Sequence, residues 1–262
     1  TNSMVCWQWK GSGQGTGVGT DVSESGNNPG FKRQTNAAAG FSIILYVGTG
    51  GVGTIAHGLN SAPKFIMAKS GSTTANWTVK ATGTTNNYDF LSLNTNGAAI
   101  ANDGAWTQTD PTSTVFSIGA SNAVNQDTKS YIAYVWAEVQ GYSKFGKYVA
   151  NAVIDGPFVY TGFKPAFLMI KNTNRAEPWM IYDNKRTPGN QINTVLQADS
   201  TAADSTASAD YATDFLSNGF KIRAVGTGYA NHTVGNVYIF MAFAEHPLVT
   251  SDDGGSIPTT AR

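Results

Sequence analysis

From Gly40 onward the chain is a succession of short apolar runs broken by polar turns. Phe41–Val47, Phe65–Ala68, Phe90–Leu93, Val115–Ile118 and Tyr131–Val135 are rich in aromatic and β-branched residues. Clusters of Gly, Asn, Asp, Pro and Thr separate them, the pattern of strands joined by turns. A second series follows: Phe145–Val149, Phe158–Tyr160, Phe167–Ile170, Met180–Tyr182, Thr194–Leu196, Phe220–Ile222 and Val237–Ala244. The last of these, Val-Tyr-Ile-Phe-Met-Ala-Phe-Ala, shows no apolar–polar alternation, which predicts a central strand buried on both faces. No long amphipathic helix is visible. Ala202–Thr213 has alanines but also Ser, Thr and Asp throughout, so it predicts one or two turns at most.

The two series are copies of each other. Pro63-Lys-Phe-Ile-Met-Ala-Lys69 returns as Pro165-Ala-Phe-Leu-Met-Ile-Lys171, and the same offset carries Trp77 onto Trp179. Gly40-Phe-Ser42 returns as Gly141-Tyr-Ser143, Phe116-Ser-Ile118 as Phe220-Lys-Ile222, and Tyr131–Glu138 as Tyr238–Glu245. A fixed period decides what counts as architecture. Residues that recur, among them Trp77, Trp179, Glu138 and Glu245, are scaffold; a functional site belongs to one copy or to the seam between them. Each copy has the length of one sandwich. The expected fold is therefore all-β, with two tandem, related, jelly-roll-like β-sandwich units over residues 40–140 and 141–262. No flexible linker separates them, so they should pack closely.

Residues 1–39 read differently. Val5, Trp7 and Trp9 alternate in Met4–Lys10 and fall on one face of a predicted strand. Gly11, Gly13, Gly15, Gly17 and Gly19 then alternate with small residues, and polar residues run on to Ala39, a composition of flexible linkers. A coil of that length spans on the order of 30 Å. The strand either pairs within its own domain, as consecutive elements commonly do, or serves as an inter-subunit arm completing a neighbouring copy. The segment after Pro247 reads as a loop with a frayed end.

Composition narrows the function. The chain has 262 residues, 41% hydrophobic but only 13% charged, with 17 basic and 17 acidic side chains. A nearly uncharged surface lacks the basic excess that nucleic acid or an anionic membrane requires, and its weak self-repulsion suits packing against copies of itself. The lone cysteine, Cys6, permits no intrachain disulfide, and no run reaches membrane-spanning length. The chain starts at Thr1 without a signal-peptide pattern, so either a leader was removed or it is part of a longer polypeptide.

No catalytic or cofactor motif survives inspection. Gly48-Thr-Gly-Gly-Val-Gly53 fits G-x-G-x-x-G but runs to Pro63 without a helix and without a ribose-binding acid, so it predicts a glycine-rich turn. Gly141–Lys147 falls one residue short of a P-loop, with Tyr148 where Ser or Thr must stand. His57, His232 and His246 are scattered without metal-ligand spacing, so no metal or other cofactor is expected. Asp155, Asp183, Asp210 and Asp214 could supply a glycosidase-like carboxylate pair, but sequence does not place them. Asn76-Trp-Thr78 and Asn231-His-Thr233 match the glycosylation sequon. Trp106 lies in the polar stretch Asn102–Gln108 and has no counterpart in the second copy. An exposed aromatic there is a candidate for sugar stacking or a subunit contact.

Longer strings carry a resemblance. Gly40-Phe-Ser42 with Tyr46, His57-Gly-Leu59 with Ala62-Pro63, Asp110–Phe116, Tyr131–Tyr134, Asp155–Phe163, Phe215–Lys221 and Met241–Glu245 are similar to an uncharacterised domain of phage tail-fibre-like and other virion structural proteins. Thr78-Val-Lys-Ala81 departs by lacking a Tyr-His pair associated with that domain. The resemblance transfers no catalytic residue. It implies a virion-surface or extracellular protein that assembles as a homo-oligomer and adheres to a host receptor or glycan through many weak contacts. A self-assembling subunit of a filament, sheath or capsid decoration is the alternative, and a glycan depolymerase the third.

Overall fold

The computed structural model describes residues 6–11, 20–205, 208–224 and 228–246. The first copy contributes β1 (Thr20–Val22), β2 (Phe31–Asn36), β3 (Phe41–Val47), β4 (Gly53–Ala56), β5 (Pro63–Ser70), β6 (Thr78–Ala81), β7 (Asp89–Ser92), β8 (Ile100–Ala101), β9 (Val115–Ile118) and β10 (Ser130–Ala137). The second contributes β11 (Ser143–Val149), β12 (Phe158–Tyr160), β13 (Pro165–Asn172), β14 (Met180–Asp183), β15 (Leu196–Gln197), β16 (Thr213–Leu216), β17 (Gly219–Ile222) and β18 (Val237–Ala244). One short helix, Asn122–Asn125, and one 3₁₀ turn, Ala209–Tyr211, complete the described elements. The fold is all-β and the pairing antiparallel throughout.

The internal repeat is repeated in topology. The main sheet of the first copy has the order β1-β2-β3-β10-β5-β6-β7-β8, and that of the second β11-β18-β13-β14-β15. The central run β3-β10-β5-β6-β7 thus matches the whole second sheet, strand for strand. Each main sheet is covered on its outer face by a smaller one, β4-β9 in the first copy and β12-β17-β16 in the second. The inner faces of the two main sheets pack against each other.

Three hydrophobic layers follow, and strand alternation sorts residues among them. In β10, Tyr131, Ala133 and Val135 face the outer core with Ile44, Ile55, Phe116 and Ile118, while Tyr134 and Trp136 face the inner core. In β18, Tyr238, Phe240 and Ala242 face outward, and Ile239, Met241 and Phe243 face the first copy. β18 lacks alternation because it has no solvent face: it lies between β11 and β13 with a core on each side. The inner core joins Phe41, Phe65, Val79, Leu91 and Trp136 of one copy to Phe145, Phe167, Met169, Trp179 and Phe243 of the other. The two sandwiches share a core rather than standing apart on a linker.

Two features differ from the sequence reading of residues 1–39. Strands β1 and β2 lie inside the segment that composition marks as linker, extending the first sheet from β3. β2, paired on both sides, has mixed burial and one buried apolar side chain, Phe31, so its pairing rests on backbone hydrogen bonds that hydrophobic periodicity cannot show. Residues 6–10 form no strand, although the side chains of Trp7 and Trp9 do share a surface.

Candidate ligand-binding surface

The repeat gives a way to separate scaffold from site, since equivalent positions can be compared within one molecule. The scaffold is built twice from the same parts. Tyr46 and Tyr131 stack with ring centroids 5.2 Å apart, and their equivalents Tyr148 and Tyr238 stack at 4.9 Å. Tyr46 Oη donates to the Val124 carbonyl (2.5 Å) and Tyr148 Oη to the Ala230 carbonyl (2.7 Å). Burial raises the pKa of all four phenols. The next residues, Asn125 and Asn231, are fully buried. Asn125 Oδ1 accepts from Thr49 N (2.9 Å), and Asn231 Oδ1 from Asn151 N (3.0 Å); their amides donate to the carbonyls of Gly51 and Val153. Asn125 pins the turn after β3 and Asn231 the turn after β11. Sequence reasoning missed this pair because short polar matches between the copies are submerged in a Gly- and Asn-rich background.

Several sequence candidates resolve into this scaffold. The Gly48–Gly53 run is the turn held by Asn125: a Cβ on Gly48 would lie 2.2 Å from the Gln126 carbonyl and one on Gly53 2.1 Å from that of Asn27. Gly141–Lys147 opens β11, where Gly146 lies under the Phe240 ring. His57 is buried; its Nδ1 accepts from Leu59 N and its Nε2 therefore donates to the Thr112 carbonyl. Burial, with Arg33 nearby, depresses its pKa. Asn231 of the second sequon is buried, whereas Asn76 of the first is exposed. Glu138 pairs with Lys144 (2.6 Å) and Glu245 with Lys164 (2.8 Å), each at the end of its copy's last strand. Trp77 stacks on Tyr134, and Trp179 crosses the seam, its Nε1 donating to the Ser92 carbonyl (2.9 Å).

Trp106 corrects the expectation of an exposed aromatic. It is 0% exposed and belongs to the outer core of the first copy. The polar stretch around it is tied down by backbone bonds from Gly119 N to the Ala105 carbonyl and from Ser121 N to that of Gly104 (both 2.8 Å). That anchoring turns the indole inward; polar neighbours in sequence do not reveal it. Of the arm residues, Val5 lies outside the described residues. Trp7 and Trp9 dock on their own chain at the margin of the shared core. Trp9 packs edge-on against Trp136 of the first copy and Phe167 and Phe243 of the second, at 5.9, 5.7 and 5.3 Å.

The exposed aromatics are elsewhere, on β12. This edge strand alternates: Val159 enters the outer core of the second copy, so its neighbours Phe158 (46% exposed) and Tyr160 (65%) must face solvent. Their cross-strand partners on β17 are Lys221 and Gly219. Gly219 leaves the floor beside the rings bare, and a Cβ there would lie 2.1 Å from the Val159 carbonyl. An ion-pair cluster borders the shelf: Lys221 Nζ is 2.7 Å from Asp155 Oδ1, and Arg223 reaches both Asp155 (3.4 Å) and Asp214 (2.7 Å). The hydrogen bond and charge of Lys221, with Arg223 behind it, depress the pKa of Asp155. Two cations and two carboxylates leave the cluster neutral. Ile154, one residue before Asp155, is exposed as well.

The first copy has no such shelf. With Phe116 set on Phe220, strand pairing places Thr54, Ala56 and Ser117 where the second copy has Phe158, Tyr160 and Lys221. The motif Phe158-Val-Tyr160 was legible as a strand, but which face it exposes depends on the core beneath. Among the described residues no group of three His, Cys, Asp or Glu side chains is placed to hold a metal, and no helix is long and apolar enough to cross a membrane.

Residues 1–247 match the family described as Domain of unknown function (DUF7483). The chain belongs to the DUF7483 family. No curated protein and no solved structure matches it. The DUF7483 match runs across both copies, the seam and the β12 shelf, so the duplicated architecture described above is what the family name covers in this chain.

Proposed function

We infer that this DUF7483 chain is a non-enzymatic adhesion protein of a virion surface, tail-fibre-like and oligomeric, that holds a host glycan on the β12 shelf. The observation that carries this reading is the pair Phe158 and Tyr160, outward-facing in the second copy and replaced by Thr54 and Ala56 in the first. An exposed aromatic face stacks on the C–H face of a sugar ring while nearby charged groups orient its hydroxyls. One shelf of this size binds weakly, so useful affinity comes from copies presented together. The neutral, sparsely charged surface and the resemblance to phage structural proteins support the same setting. Carbohydrate arrays bearing neutral and acidic polysaccharides test it: the wild-type chain should bind, and the F158A/Y160A double variant, folded by circular dichroism, should lose at least about tenfold in affinity. Absence of binding to every polysaccharide, or equal binding by the double variant, refutes the assignment.

The alternative of a self-assembling filament, sheath or capsid subunit rests on the Trp7/Trp9 segment. The aromatic side chains of Trp7 and Trp9 attach its described part to the shared core, a mode of docking that a neighbouring copy could also satisfy.

A further inference from the structure

A cleft occurs at the same place in both copies, where β5 and β6, or β13 and β14, meet the turn that follows the second of the pair. In the second copy, a cleft of about 420 Å³ between Lys164, Asn184 and Lys185 is crossed by its own charges. Glu245 binds Lys164 (2.8 Å) and accepts from Asn184 Nδ2 (2.7 Å). The first copy carries Ala62, Thr82 and Gly83 at the three equivalent positions, and Glu138 is turned away to Lys144. Its cleft, about 510 Å³, is unspanned. That volume falls within the range of small-molecule sites, roughly 300–1,000 Å³.

The divergence extends to the wall. Tyr182, a core residue of the second copy, is replaced by Lys80. Lys80 is buried, and its ammonium donates to the Asn87 carbonyl, leaving two of its three N–H groups for the cleft. Among the described residues it has no carboxylate within ion-pair distance: Asp89 is engaged by the backbone and side chain of Asn86. Asp110 lines the same cleft, is exposed, and makes no side-chain hydrogen bond among the described residues; Lys64 stands at the lip. Burial lowers the pKa of Lys80, with Asp110 and Asp89 opposing that shift. The remaining lining is threonine, glycine, proline and alanine with Ile66 and Asn87, and it holds no aromatic ring to stack on.

A donor and an acceptor that share one polar cleft select for chemistry. A carboxylate ligand would meet Asp110, and an amine would meet Lys80 and Lys64. A hydroxyl can accept from Lys80 while its neighbour donates to Asp110. We propose that this cleft binds one neutral sugar ring through hydroxyl groups shared between Lys80 and Asp110, a second carbohydrate site distinct in mode from the β12 shelf. It does not depend on the shelf, and either can fail alone.

Saturation-transfer NMR on the full chain with glucose, galactose, mannose and N-acetylglucosamine, and with glucuronate and glucosamine as charged controls, tests the proposal. At least one neutral sugar should bind with a dissociation constant on the order of millimolar. With the shelf removed by F158A/Y160A, so that only this cleft contributes, Lys80→Met and Asp110→Asn should each weaken binding about tenfold or more, the loss expected for a charge-assisted hydrogen bond. Asp110 is exposed, so its variant keeps the comparison available should Lys80→Met fail to fold. The proposal is overturned if none of the four neutral sugars binds the F158A/Y160A chain, if Asp110→Asn in that chain leaves binding as it was, or if a charged control binds it more tightly than every neutral sugar.

Discussion

Lys171 sits at the seam of the two copies, and its replacement by methionine should change how stability depends on pH. The side chain is 0% exposed. Its ammonium donates to the carbonyls of Glu177 (2.7 Å) and Arg175 (3.3 Å) and, across the seam, to that of Asn96 (3.0 Å). Desolvation lowers its pKa from 10.5 to about 8, against the opposing pull of Asp199 and Glu177. A lysine whose folded pKa is depressed binds fewer protons folded than unfolded between those two values, so stability rises with pH across that interval. Integrated from about pH 7 to pH 10, the gain is about 2–3 kcal/mol. Methionine keeps the apolar stem but removes the donors, which strands the buried Glu177 carbonyl at a cost of about 1–3 kcal/mol at neutral pH; the Arg175 carbonyl keeps the Glu177 N–H, and Asn96 is exposed to water. The gap between wild type and Lys171→Met should therefore widen as the solution becomes more alkaline. Buried tyrosines oppose this trend above about pH 10, because phenols with raised folded pKa values lose stability there. They are common to both proteins and cancel in the difference. Urea unfolding followed by tryptophan fluorescence at a series of pH values measures it. A gap that stays constant between pH 7 and pH 10 would refute the idea that Lys171 is a charged group held against its solvation.

Asn231→Ala removes an amide that accepts from Asn151 N and donates to the Val153 carbonyl in a fully buried setting, and should lower stability by about 2–4 kcal/mol; a melting temperature within a degree or so of wild type would show that water replaces it. Asn125→Ala should behave alike, since it pins the equivalent turn. Trp9→Ala strips aromatic contacts from the margin of the shared core and should cost about 2–3 kcal/mol in chemical denaturation. Sedimentation of the same variant distinguishes the two uses of the segment: unchanged mass fits a strap on its own chain, and a fall in mass marks exchange between copies.

Much of the fold was legible because strands and duplication write themselves into sequence. Apolar runs between turn residues located most strands, and the offset from Pro63 to Pro165 marked two related units; that their main sheets share one strand order came from the structure. The uniform apolarity of Val237–Ala244 marked a strand covered on both faces, as β18 is. Strands β1 and β2 left no such trace, because pairing through backbone groups is independent of side-chain pattern. Trp106 and Phe158 show the remaining limit. The first stands among polar residues yet is wholly covered; the second opens an aromatic run yet faces water. The alternation of sides along each strand is local, because it follows from the two-residue repeat of an extended backbone. Which side is covered was decided only by the stacking of the four sheets: Val159 has a core beneath it, so Phe158 and Tyr160 do not. Burial belongs to the layer that arrives from elsewhere in the chain, and no local pattern encodes its arrival.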